Sequence, residues 1–161
     1  MQTATTAPTE QATEHKDKTD KQMRYYSTNH KAPTASLAEA VVNGLAGDRG
    51  LYMPERIVPL PEEFFTNMAQ MTFAEIACTV ADAFFGDDIE QGELHRIVRD
   101  TLAFDCPVVP VTDSIYSLEL FHGPTLAFKD VGARFMARLL RHFSKADNGE
   151  TVNVLGATVR P

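Results

Sequence analysis

The sequence predicts an α/β protein, with a helical amino-terminal lead-in domain followed by an incomplete parallel-sheet core. Three observations carry that reading. Two Ser/Thr-x-x-Glu boxes, Ser36–Glu39 and Thr72–Glu75, each stand just before apolar residues at helical spacing. From Pro107 the pattern changes to short extended runs, PVVPV (107–111) and SIYSLELF (114–121). A helical pattern over residues 126–143 then separates SIYSLELF from TVNVLGATV (151–159). Strand, helix, strand at that distance is a crossover, which requires parallel strands.

Composition excludes several classes. The 161 residues hold 15 Lys plus Arg against 22 Asp plus Glu, a net charge of −7, with 43% hydrophobic residues. That is close to a globular average, and the acidity argues against a non-specific nucleic-acid binder. Cys78 and Cys106 have no CxxC spacing, so neither a metal site nor a disulfide framework is expected. No apolar run approaches the roughly 18 residues of a membrane span. The amino terminus also lacks the apolar stretch of a signal peptide. The expectation is a reducing, cytoplasmic protein with no nucleic-acid or membrane partner.

Along the chain, residues 1–22 contain six Thr and no aromatic residue, and are expected to form a disordered tail. RYYSTN (24–29) reads as a short strand. Ser36 and Glu39 open a helix bearing Leu37, Ala40, Val41 and Leu45, with Gly44 and Gly47 to stop it. NGLAGDRGLYMP (43–54) has three glycines, but a phosphate loop needs a preceding strand and a following helix. Here a helix precedes and a proline follows, so a tight turn is the better reading.

Thr72 and Glu75 open a second helix with Phe73, Ile76, Ala77, Val80 and Phe84, ended by Gly86. Asp87 and Asp88 are suitable caps for a third, whose stripe is Leu94, Ile97, Val98 and Thr101–Leu102. His95 lies off that stripe and is expected to be a solvated surface histidine. The lead-in is expected to end near Phe104. The domains are therefore 1–22, 23–104 and 105–161. PVVPV is held to a sheet edge by its prolines, and Tyr116, Leu118 and Leu120 share one face of the next strand.

The segment LELFHGPTLAFKDVGARFMARLLRHF (118–143) carries the most chemistry. Gly123-Pro124 breaks the strand, and Thr125 is placed to cap a helix starting at Leu126. At roughly 100° per residue, Arg134, Arg138, Arg141 and Lys145 fall on one narrow arc, the expected solvated face. Phe128, Phe135, Met136, Leu139, Leu140 and Phe143 fall opposite. Lys129 projects on that apolar side, between Phe143 and Leu140, while Asp130 points toward the basic arc.

Lys129 admits three readings. Its stem could lie on apolar surface with the charge at the helix end, or the helix phase could shift by a residue near the terminus. The third is a desolvated amine. Apolar surroundings and the positive end of a helix both disfavour the ammonium, and a neutral amine can form a Schiff base with a carbonyl. Backbone donors at the same terminus suit an anion. Gly132, Ala133 and Ala137 leave room for a neighbouring backbone.

LELFHGPTLAFKDVGARFMARLL resembles the lysine segment of the threonine synthases, pyridoxal-phosphate enzymes of the tryptophan-synthase-β type. GLAGDRGLYMP and FAEIACTVADAFFGDDI resemble the same family's amino-terminal domain, so the likeness covers most of residues 23–155. The resemblance implies that Lys129 is both the catalytic and the cofactor-binding residue. It joins pyridoxal phosphate as a Schiff base and later serves as acid and base. It implies conversion of O-phospho-L-homoserine and water to L-threonine and phosphate. His122, beside the lysine turn, could contact cofactor or substrate, or could bond loop backbone.

After VNVL the family continues with a Ser-Gly-Asp-Thr-Gly loop, where this sequence reads GATVRP (156–161). Ligand sites in open parallel sheets lie outside the carboxyl ends of strands, so the departure falls where the site should begin to close. A truncated, catalytically inert fragment is therefore expected. The alternatives are another lyase or phospho-lyase of the same cofactor class, such as a threonine dehydratase, and a non-catalytic fragment.

Overall fold

The computed structural model describes residues 22–146. The expected tail up to residue 21, and the strand and departure at 151–161, lie outside the described residues. The elements run β1 (Tyr25–Ser27), α1 (Leu37–Asn43), β2 (Tyr52–Pro54) and α2 (Glu62–Asn67), the last extended by a 3-10 turn at Met68–Gln70. Then come α3 (Phe73–Phe85), α4 (Gln91–Thr101), β3 (Val108–Pro110), β4 (Tyr116–Leu118) and α5 (Lys129–Ala146).

Local signals set the helix starts. In both α1 and α3 the capping box forms in full: the Ser36 or Thr72 hydroxyl accepts from the Glu39 or Glu75 amide. Each glutamate in turn accepts from the cap backbone, at 2.7 Å in both cases. Gly44 ends α1 at a positive φ of 70°, a conformation open to a residue without Cβ, and Gly86 ends α3. The expected Asp87 and Asp88 caps are replaced by Glu90, whose carboxylate accepts from the Glu93 amide at 3.0 Å. Asp87 and Asp88 sit too early in the chain to reach those amides.

The GLAGDRG stretch is a turn, as its spacing predicts. The Asp48 carboxylate accepts from the Ser27 hydroxyl (2.6 Å) and from the amides of Lys31, Ala32 and Gly50 (2.9, 2.9 and 3.0 Å). These donors hold the Asp48 carboxyl far below the usual carboxylate range, the Ser27 hydroxyl contributing most. The turn folds the chain back so that β2 pairs with β1.

One apolar core joins the helices. Met23 and Tyr25, from and beside β1, meet Leu37 and Val41 of α1 and Cys78 and Ala81 of α3. Ile89, then Leu94, Ile97 and Val98 of α4, and Leu139 of α5 complete it. Leu94 and Ile97 are buried completely or nearly so, and α4 packs between α3 and α5. His95 departs from its expected solvated role: its Nε2 lies 2.8 Å from Asp82 Oδ2, a half-buried bridge from α4 to α3. The partners are far apart in sequence, so helical spacing alone could not reveal them.

The described strands form two antiparallel pairs, β1 with β2 and β3 with β4. PVVPV therefore pairs with its successor as a hairpin. The parallel partner expected for this region, residues 151–159, lies outside the described part.

The orientation of α5 differs most from expectation. Its arginines do not all share a solvated face: Arg141 is exposed as expected, but Arg134 and Arg138 are not. Arg134 donates to the carbonyls of Asp100 (2.7 Å) and Thr101 (3.0 Å) at the end of α4, and its guanidinium lies over the Phe104 ring. Arg138 is half-buried. The open face is instead the one bearing Lys129, Gly132, Ala133, Met136 and Ala137, all exposed. Carbonyls left over at a helix end are good partners for a cation. That is how α5 can turn Arg134 inward.

Candidate active site

The lysine predicted from sequence stands at the first residue of α5. The helix begins there rather than at Leu126, because residues 123–128 are used in a tight turn. Leu126 adopts a left-handed φ of 56°, and its amide donates to the Gly123 carbonyl at 3.0 Å. Thr125 is not a helix cap. Its amide and hydroxyl both donate to the Asp130 carboxylate, each at 2.8 Å. Asp130 thus points back into the turn and is 5% exposed, not aimed at a basic arc.

Lys129 itself is exposed. The dry surroundings that helical phase suggested are not built by the described residues. Leu140 and Phe143, its expected walls, turn toward the core and are half-buried. What remains beside the lysine is an open strip of small and apolar residues, Gly132, Ala133, Met136 and Ala137. Leu126 and Phe128, in the turn just before it, are 76% and 66% exposed.

His122 lies on the strand side of the turn. Its Nε2 is 2.7 Å from Glu119 Oε2, and its ring packs on Phe121 at 4.8 Å between centroids. The imidazole therefore has a carboxylate partner within its own loop. Among the described residues no cluster of three or more His, Cys, Asp or Glu could hold a metal, and no helix is long and apolar enough to cross a membrane.

The residues sequence reasoning missed are Asp130 and Gly123. Gly123 is buried, and a Cβ there would lie 2.8 Å from Asp130 Cβ. The available signal was a Thr and an Asp five positions apart around a lysine, following Gly-Pro.

A cofactor aldehyde fits one part of this arrangement. The open strip and the terminal amine match a planar carbonyl ligand, while the contacts for its phosphate would have to come from outside the described turn.

Comparison with known proteins covers most of the chain. Residues 24–102 match the family model described as threonine synthase N terminus. The threonine synthase of Escherichia coli (strain K12) is 38% identical over 136 residues, 84% of this chain and 31% of that protein. That of Buchnera aphidicola subsp. Baizongia pistaciae is 36% identical over 137 residues, 84% of this chain and 32% of that protein.

Among solved structures, threonine synthase from Escherichia coli superposes with a TM-score of 0.71 at 38% identity, over 76% of this chain and 28% of that one. PLP-bound threonine synthase from Brucella melitensis gives 0.72 at 35%, over 77% and 28%. The chain spans less than a third of the length of these relatives. With sequence and fold pointing the same way, the chain belongs to the threonine synthase family, as an amino-terminal portion of it.

Proposed function

We propose that this chain supplies the cofactor lysine of a threonine synthase, the enzyme that converts O-phospho-L-homoserine and water to L-threonine and phosphate. The observation that carries the reading is the place of Lys129. It opens α5 beside a strip of small residues, in a chain that aligns with threonine synthases on both sides of that turn. Bound pyridoxal phosphate supplies the electron sink that such a reaction needs.

The chain's own residues have narrower tasks. Lys129 Nζ would hold the cofactor aldehyde and could hold or move a proton at the same position. The strip at Gly132, Ala133 and Ala137 lets a planar ring approach the helix. Covering that strip with further enzyme core would exclude water from the amine. A soluble, cytoplasmic setting accords with the small polar substrate.

Covalent capture tests the reading. The chain is incubated with pyridoxal phosphate, reduced with borohydride and mapped by mass spectrometry. The expected product is labelled at Lys129, and Lys129→Ala removes that label. Labelling spread evenly over exposed lysines such as Lys31 would overturn it. In a synthase that carries this segment, Lys129→Ala is expected to abolish phosphate release from O-phospho-L-homoserine.

A further inference from the structure

We propose that Asp130 is a positioning residue for Lys129, its carboxylate closing on Thr125 to fix the turn that aims the lysine amine. The inference rests on the reading of Lys129 as the cofactor lysine.

Four observations converge. Asp130 is 5% exposed, and its two carboxylate oxygens take one donor each from Thr125, the amide to Oδ2 and the hydroxyl to Oδ1, both at 2.8 Å. Two bonds to one residue fix orientation as well as distance. The backbone closes the same ring, with Leu126 N donating to Gly123 O and Asp130 N to Ala127 O, both at 3.0 Å. Gly123 leaves the space Asp130 fills, since a Cβ there would lie 2.8 Å from Asp130 Cβ. Finally, Leu126 is held at a left-handed φ of 56°, which is unfavourable for a residue with a side chain and persists only where the surroundings over-determine it.

Packing does not account for this shape. The turn buries neither of its large apolar side chains, Leu126 being 76% exposed and Phe128 66%. A buried carboxylate needs its hydrogen bonds satisfied, and here the donors are spent on the turn directly before the lysine. The clasp and the amine share one rigid unit: Asp130 is the second residue of α5 and Lys129 the first. Loosening the clasp frees the direction in which Lys129 leaves the helix.

The test uses the whole chain and four variants: Asp130→Ala, Thr125→Val, Thr125→Ser and Gly123→Ala. The readouts are amide exchange at Thr125 and Leu126, and the rate of borohydride-trapped pyridoxal-phosphate capture at Lys129 relative to Lys31 in the same molecule. Thermal midpoints report whether the fold persists. Asp130→Ala removes both accepting oxygens. It is expected to expose the Thr125 amide to exchange and to lower the Lys129-to-Lys31 ratio by about tenfold.

Thr125→Val and Gly123→Ala should act alike, whereas Thr125→Ser keeps both donors and should keep the ratio. If Asp130→Ala does not fold, the Thr125→Val and Thr125→Ser pair decides. Unchanged ratios with Lys129 still preferred would overturn the positioning role and leave the cofactor reading standing. No preference for Lys129 in the unaltered chain would overturn both.

Discussion

The guanidinium of Arg134 donates to the main-chain oxygen of Thr101 at 3.0 Å, crossing from one helix to the end of another. A second bond from the same group reaches Asp100 O at 2.7 Å. Arg134→Met keeps the apolar stem and removes both donors, so the last turn of α4 loses its partners. A loss of about 1.5 kcal/mol is expected, in line with hydrogen bonds to charged groups, and urea unfolding measures it. An unchanged midpoint would show that water replaces the guanidinium without loss.

Asp88 is an acid in an awkward place. Its Oδ2 is buried with no hydrogen-bond partner among the described residues. Burial, and then the Asp87 charge, raise the Asp88 carboxyl above the usual range. The folded state therefore holds this proton more tightly than the unfolded one. The stability that protonation brings is present below the ordinary carboxylate range and is lost as pH rises through the raised value. Asp88→Asn is expected to raise the thermal midpoint at pH 7 and to leave it nearly unchanged at pH 4. The neighbouring Tyr25 hydroxyl, pushed up to about 12 mainly by burial, stays neutral across both conditions.

Asp48 has the opposite sign. Its carboxyl is lowered, so the stability it contributes is present above the ordinary carboxylate range and disappears as pH falls through the folded value. Acid unfolding followed by circular dichroism should begin at higher pH in Asp48→Asn, which keeps the shape of the side chain but not its charge. Ser27→Ala, removing the hydroxyl at 2.6 Å, should move the onset in the same direction by less. An onset unaltered in both would remove this turn from the acid response.

Leu94 is fully buried at the meeting of α3, α4 and α5. Leu94→Ala removes that contact and leaves a void, with an expected loss of about 3 kcal/mol. Chemical denaturation gives the value directly. A loss below about 1 kcal/mol would mean that the three helices close over the space.

Legibility in the sequence followed range. The boxes at Ser36–Glu39 and Thr72–Glu75 act three residues apart, and both form as their spacing predicts. The first turn of α4 was misassigned because Asp87, Asp88 and Glu90 compete as caps and only geometry separates them. No expectation covered α2, which starts after Pro61 with no side-chain cap bond. Phase on α5 set Lys129 between Leu140 and Phe143, yet those two pack on the core while the lysine is exposed, and it sent Arg134 to solvent. Periodicity cannot register that Asp100 and Thr101, more than thirty positions earlier, offer carbonyls to Arg134. Family resemblance singled out the lysine, where its own surroundings left three readings open; the clasp at Thr125 needed coordinates.

That clasp joins residues only five positions apart. Closing so small a ring asks little of chain entropy, and it calls on neither hairpin nor helical core. The way the amine is presented is thus a short-range property that a transplanted segment could keep in a different scaffold. The environment that would make the amine reactive is a long-range one, and has to be rebuilt wherever the segment is moved.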